Sequence, residues 1–182
     1  MTIPGTQRFV DPAVVVSQFY FGEGDRVADF GAGSGYFLGP VSTAITESGV
    51  LYACEIQKQL VEELGAYATK HGFGNIRPLW CDLEEQNGVP LEPSCLDVGL
   101  LINTLFQIED KPVAIAEMLR VIRPGGKFIV IDWSESFADL GPQPDMVVEA
   151  AAARALCEAA GCVLDREFPA GDHHYGLAFK KV

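Results

Sequence analysis

The chain is short of positive charge. Thirteen lysines and arginines stand against 25 aspartates and glutamates, a formal net charge of −12 over 182 residues. A field of that sign repels phosphate backbones, so a general grip on nucleic acid is disfavoured. The basic residues are also scattered, with Arg120 and Arg123 and the pair Lys180-Lys181 as mild exceptions. No apolar run approaches the roughly 20 residues that a membrane-spanning helix needs. Met1-Thr2-Ile3-Pro4-Gly5 lacks the basic and apolar regions of a signal peptide. The five cysteines are odd in number and show no Cys-x-x-Cys spacing, which points to reduced thiols rather than a disulfide frame. They form no local cluster in the sequence, so no metal or metalloid site is expected. These absences predict a cytoplasmic protein whose partner is a small molecule or another protein.

What is present is apolar content of 48%, enough for a buried core. One domain is expected over residues 1–182, with 1–22 as an N-terminal lid helix segment and 23–182 as a Rossmann-like core. Asp11-Pro12 reads as an N-cap followed by proline in the first turn. Val14, Val15, Phe19 and Tyr20 then mark an apolar stripe over 12–21. That helix either closes over a ligand or covers a sheet face.

Apolar runs alternate with helical periods from there on. Strands are expected at Val27–Phe30, Val50–Cys54, Ile76–Cys81, Leu96–Ile102 and Lys127–Ile131, and helices from Tyr36, Gln57 and Asp110. Asp145 is read as the cap of an alanine-rich helix ending before Gly161. Cys162–Phe168 and Tyr175–Val182 are separated by a short turn and read as an antiparallel pair. The fold class is α/β: a mostly parallel seven-stranded sheet with an antiparallel last strand and helices on both faces.

The rest of the chain is organised around Val27-Ala28-Asp29-Phe30-Gly31-Ala32-Gly33-Ser34-Gly35. An apolar run ends in an acid, and glycines follow at alternate positions. Strand, glycine turn and helix form a nucleotide-binding crossover start. No Gly-Lys-Ser/Thr follows, so a P-loop is excluded, and Gly-x-Gly-x-Gly departs from the dinucleotide spacing. Four successive strand ends carry polar groups: Asp29, Glu55, Asp82 and Asn103. Glu55 lies 20 residues beyond Gly35, the place for a carboxylate that accepts ribose hydroxyls. The ligand these positions suit has an adenosine-like ribose and little phosphate.

With Arg123-Pro124-Gly125-Gly126 ahead of the fifth strand, the chain resembles the class I S-adenosylmethionine-dependent methyltransferases, in particular their ubiquinone-biosynthesis-like small-molecule branch. The resemblance runs from about residue 24 to the end. It implies S-adenosyl-L-methionine as cofactor and S-adenosyl-L-homocysteine as product. Asp29 with Gly31, Ala32, Gly33 and Gly35 would hold the methionine moiety, and Glu55 the ribose, with Ile56 against the adenine. Asp82 would accept the adenine amino group beside Leu83, and Asn103 would face the sulfonium.

The expected reaction is in-line transfer to a small-molecule acceptor, since no inserted substrate module is visible. The alternatives are a protein or RNA acceptor, or a cofactor-binding protein without catalysis. Family topology would set the last strand beside the fifth, bringing Asp132 near His173, His174 and Tyr175. One of these histidines, oriented by Asp132, is then a candidate base or a contact to a metal-associated acceptor. The competing reading is a solvent-facing turn, or histidines that tie down the loop after Asp132. Phe106, Gln107, Trp133 and Tyr36 are either pocket or core.

Overall fold

The computed structural model describes residues 10–137 and 141–182. Residues 1–9, part of the expected lid segment, and 138–140, in the loop after Trp133, lie outside the described residues.

Helix α1 (Pro12–Val16) is capped by Asp11, whose carboxylate accepts from the Ala13 amide. Strand β1 (Arg26–Phe30) leads through the glycine turn into α2 (Leu38–Ala44). Then follow β2 (Val50–Glu55), α3 (Lys58–His71) and β3 (Ile76–Trp80). A long loop reaches β4 (Leu96–Ile102), a 3-10 turn at Leu105–Gln107 and α4 (Lys111–Val121). Strand β5 (Ile122–Trp133), α5 (Ala150–Ala159), β6 (Cys162–Pro169) and β7 (His174–Lys181) complete the chain.

The seven strands are ordered β3-β2-β1-β4-β5-β7-β6. The first five are mutually parallel, and β7 runs antiparallel between β5 and β6. Strand order reverses between β1 and β4, so the loops after these strands diverge there and open a crevice at their carboxyl ends.

Side chains alternate across the sheet because a strand's period is two. On β5, Ile129 and Ile131 join the core beneath α1, α2 and α3, while Phe128 and Val130 join the core beneath α4 and α5. The edge strand β3 carries Pro78 in its middle, which removes one donor from an otherwise open edge.

Local signals held in kind more than in length. Asp110 caps α4 through the Val113 amide, as its sequence predicts. The expected helix over 12–21 is only Pro12–Val16, and Val14 and Tyr20 are exposed. Its buried residues Val15, Val16 and Phe19 pack into the sheet core, with Phe19 edge-on to Phe168. After Val16 the Gln18 and Phe19 amides bond three residues back, to Val15 and Val16, and Tyr20 takes a left-handed φ of 51°, so the helix ends there. Lys127 and Arg166 donate to the carbonyls of Tyr20 and Gln18 and tie the segment to β5 and β6. Asp145 is not the cap of α5. That helix begins after Glu149, without a side-chain cap bond.

Phe128 is fully buried and pairs in register with Gly99 of β4 and Phe179 of β7. Phe128→Ala is expected to destabilise the protein by about 3–5 kcal/mol, because the cavity opens beneath α4 and α5 on a strand held by pairing on both sides, which limits its collapse. Urea denaturation checks the value.

Candidate functional site

A cavity of about 440 Å³ opens at the carboxyl ends of β1, β2, β3 and β4. No lysine or arginine lines it among the described residues, while Asp29, Glu55, Asp82 and Glu84 do. Such a lining suits hydroxyl, amine and cationic groups and opposes phosphate.

The glycine turn forms the cavity's floor. Gly31, Gly33 and Gly35 all have positive φ, at 80°, 52° and 81°, a conformation other residues enter only with strain. The amides of Gly31 and Ala32 both donate to the Cys54 carbonyl at 2.9 Å, which bolts the turn onto β2. At Gly31 a Cβ would meet Thr104 at 2.6 Å, so the close approach of the β4 loop needs this glycine.

Glu55, 7% exposed, crosses to the turn. Its Oε2 accepts from the Gly33 amide at 3.0 Å and its Oε1 from the Gln57 amide at 2.9 Å. A carboxylate oxygen has two lone pairs, so each remains able to accept a ligand hydroxyl. Asp82 is steadied on one side, with Oδ1 accepting from the Glu84 amide at 3.0 Å. Ile56 stands half-exposed at the rim, its carbonyl accepting from the Trp80 indole at 2.7 Å.

Asp29 is buried beneath the turn. Burial first, and the Glu55 charge second, push its pKa from 3.8 up to about 7. Asn103 takes a left-handed φ of 53° as its amide donates to Ile131, and its Oδ1 is buried without a partner. An orphaned buried acceptor costs about 1–3 kcal/mol, which a ligand donor would offset.

Nine of the ten residues expected to hold the cofactor line this one cavity: Asp29, Gly31, Ala32, Gly33, Glu55, Ile56, Asp82, Leu83 and Asn103. Gly35 does not. It supports the turn from below, where a Cβ would press on Leu64 and Leu38. Thr104, Cys54, Cys81 and Glu84 also line it and were missed, for each merely follows or precedes an obvious strand-end residue. Of the undecided aromatic and amide positions, Tyr36 and Gln107 line the cavity. Phe106 and Trp133 do not.

The acceptor side differs from expectation. Asp132 does lie beside the start of β7, in register with Tyr175, but its carboxylate orients neither histidine. Oδ1 accepts from the Trp133 amide at 2.8 Å and Oδ2 from the Phe106 amide at 3.2 Å. Burial pushes its pKa up to about 6, against those amides. His173 instead meets Glu135 at 2.7 Å and stacks on Phe137 at 4.0 Å. His174 is 8% exposed, lies over Trp133 with ring centroids 4.2 Å apart, and its Nδ1 meets the Asp172 carbonyl at 3.0 Å. Nδ1 must therefore carry the proton, leaving Nε2 as a buried lone pair without a partner. Burial pushes the His174 pKa down and keeps the ring neutral. Neither histidine lines the cavity, nor does Asp132.

The profile of the methyltransferase domain family Methyltransf_11 matches residues 28–130, from within β1 to within β5. The chain belongs to this family. It is a class I S-adenosylmethionine-dependent methyltransferase domain, and S-adenosylmethionine is the cofactor its family uses. The solved structure of a SAM-dependent methyltransferase from Aquifex aeolicus is similar over 99% of this chain and 94% of that one, at 26% identity and a TM-score of 0.88. The ubiquinone/menaquinone biosynthesis C-methyltransferase UbiE of Vibrio campbellii is 26% identical over 117 residues, 64% of this chain and 44% of that protein. An uncharacterized 37.1 kDa protein of transposon TN4556 from Streptomyces fradiae is 28% identical over 133 residues, 72% of this chain and 36% of that protein. The chain thus spans about two fifths of the length of these curated relatives.

Asp29 gives the site a pH signature. Its pKa of about 7 when folded, against 3.8 unfolded, means that the folded chain binds the proton more tightly. The stability this contributes, roughly 4 kcal/mol, is fully present below 3.8 and is lost as pH rises through about 7. His174, with its lowered pKa, works the other way below its ordinary 6.5 and is silent above it. The ligand-free protein is therefore expected to lose about 1 kcal/mol between pH 6.5 and 8. Asp29→Asn should abolish that loss. Denaturant titrations at both pH values check it, and an unchanged loss in the variant would contradict the assignment.

Proposed function

We propose that this domain transfers the methyl group of S-adenosylmethionine to a small-molecule acceptor by in-line displacement. The observation that carries the cofactor half is the convergence of Asp29, Glu55, Asp82 and Asn103 from four strand ends on one cavity that no basic residue lines among the described residues. The cofactor's sulfonium supplies an activated methyl group, so the chain's own task is to bind, align and exclude water.

In this reading the backbone of Gly31 to Gly33 cradles the methionine moiety. Asp29 faces its ammonium, ionising as that cation arrives. The two oxygens of Glu55, already held by amides, accept the ribose hydroxyls without reorganising. Ile56 covers the adenine, Asp82 accepts its amino group beside Leu83, and the Asn103 carbonyl points toward the sulfonium end. Gly35 keeps the turn seated.

The acceptor half rests on His174. Its neutral ring presents a buried, unpartnered Nε2 on the same sheet edge, beside Trp133. A neutral imidazole nitrogen accepts a proton from a hydroxyl or N–H acceptor, and because Nε2 is buried outside the cofactor cavity, the acceptor must displace its cover to reach it. His173 closes the turn beside it through Glu135, and Asp132 positions the segment after β4 through Phe106. The net charge of −12 supports a small molecule over RNA, and the five free cysteines suit a cytoplasmic setting.

Calorimetry with S-adenosylhomocysteine tests the cofactor half. Binding is expected, and Glu55→Ala should weaken it ten- to hundredfold, as loss of a charged acceptor for two hydroxyls implies. Absence of binding in the wild type would sink the proposal. For the acceptor half, His174→Ala should depress turnover while leaving cofactor affinity unchanged. Full activity in both His174→Ala and His173→Ala would remove the histidines from the mechanism, and salt-sensitive RNA binding would redirect the acceptor class.

A further inference from the structure

The loop between β3 and β4 carries Asp82 at its start, and a buried carboxylate with a partly exposed guanidinium, both on α4, grips its middle. Glu117 is 4% exposed, and its carboxylate accepts from the amides of Val89 at 3.0 Å and Asn87 at 3.2 Å. Arg120 meets Glu117 at 2.7 and 2.8 Å through two nitrogens. The same guanidinium donates to the carbonyls of Val89 at 2.8 Å and Leu91 at 3.0 Å. The Arg120 carbonyl accepts from Ser94 at 3.0 Å. Amides and carbonyls of one short segment are thus read by a carboxylate and a guanidinium that also neutralise each other.

That segment leads straight back to the cavity. The Asp82 amide donates to Gly88 at 3.2 Å, and the Gly88 amide to Glu85 at 2.9 Å. Packing there is so close that a Cβ on Gly88 would lie 2.0 Å from the Asp82 carbonyl oxygen. A shift of Gly88 therefore moves Asp82 with it. The charge-assisted bonds from Glu117 and Arg120 are of the strong, directional kind that can hold such a turn in one place.

We propose that Glu117 and Arg120 are positioning residues for nucleobase selection. Acting through Asn87, Gly88 and Val89, they set where the Asp82 carboxylate stands, and hence how well the site tells a 6-amino purine from a 6-oxo purine. The inference rests on the reading that Asp82 accepts the adenine amino group. A 6-oxo base offers an acceptor at that place, which an acceptor-only carboxylate repels. The preference requires the carboxylate to sit within hydrogen-bond reach of the base, so loosening the turn erodes the preference before it erodes the rest of the site.

The test compares the affinities of S-adenosylhomocysteine and S-inosylhomocysteine by calorimetry, in the wild type, Asp82→Asn, Glu117→Gln and Arg120→Lys. The wild type should favour the adenosine form at least tenfold, and Asp82→Asn should bring the ratio near one. Glu117→Gln should lower the ratio severalfold through weaker binding of the adenosine form, with the inosine form nearly unchanged. Arg120→Lys keeps the charge opposite Glu117 but not the fork to two carbonyls; it should fall between, and carries the comparison alone if Glu117→Gln does not fold. General destabilisation would weaken both ligands alike and leave the ratio untouched. A wild type without preference overturns the Asp82 reading and this proposal with it. A ratio that collapses in Asp82→Asn but survives in both α4 variants overturns the role of Glu117 and Arg120 alone.

Discussion

The site depends on a double hydrogen bond from the Gly31 and Ala32 amides to the Cys54 carbonyl. Two donors on one acceptor pull the end of β1 against the end of β2 and force the chain to turn within a few residues. Everything else at the edge takes its place from that turn. Glu55, next to Cys54, is brought under the Gly33 amide, and Thr104 of the neighbouring loop packs into the space that Gly31 leaves open. A turn this tight is available because left-handed backbone carries no Cβ penalty at glycine.

The same closeness explains the electrostatics. Asp29 lies beneath the turn with Glu55 beside it and, among the described residues, no basic one lining the cavity, so burial and repulsion both favour its neutral form. A cationic ligand would relieve both. Asp132 is buried equally deeply, yet amides of Trp133 and Phe106 face it, and its pKa rises less. One acid is left wanting a positive partner and the other is satisfied by backbone.

Much of the cofactor side was legible in the chain itself. The alternation of apolar runs with helical periods gave the parallel sheet, and in such a sheet every strand ends on the same edge, so Asp29, Glu55, Asp82 and Asn103 had to meet. The misses have physical causes. The stripe at Val14 to Tyr20 suggested a long helix, but past Val16 the Gln18 and Phe19 amides reach back only three residues and Tyr20 takes a left-handed φ of 51°, which ends it early. Asp145 resembled a cap, yet α5 opens beyond Glu149 without one. Asp132 and the histidines were correctly brought to neighbouring strands but wrongly paired, because register sets which backbones adjoin and not which face a carboxylate turns to.

The class of fold and the identity of the strand-end groups follow from the chain alone, because the period of two and the glycine spacing are local properties of the backbone. Which oxygen of Glu55 meets which amide, which nitrogen of His174 is left bare, and how Glu117 and Arg120 reach across to the turn at Gly88 depend on the packed chain. Those contacts join residues distant in the chain, and their geometry is set by packing rather than by any nearby residue.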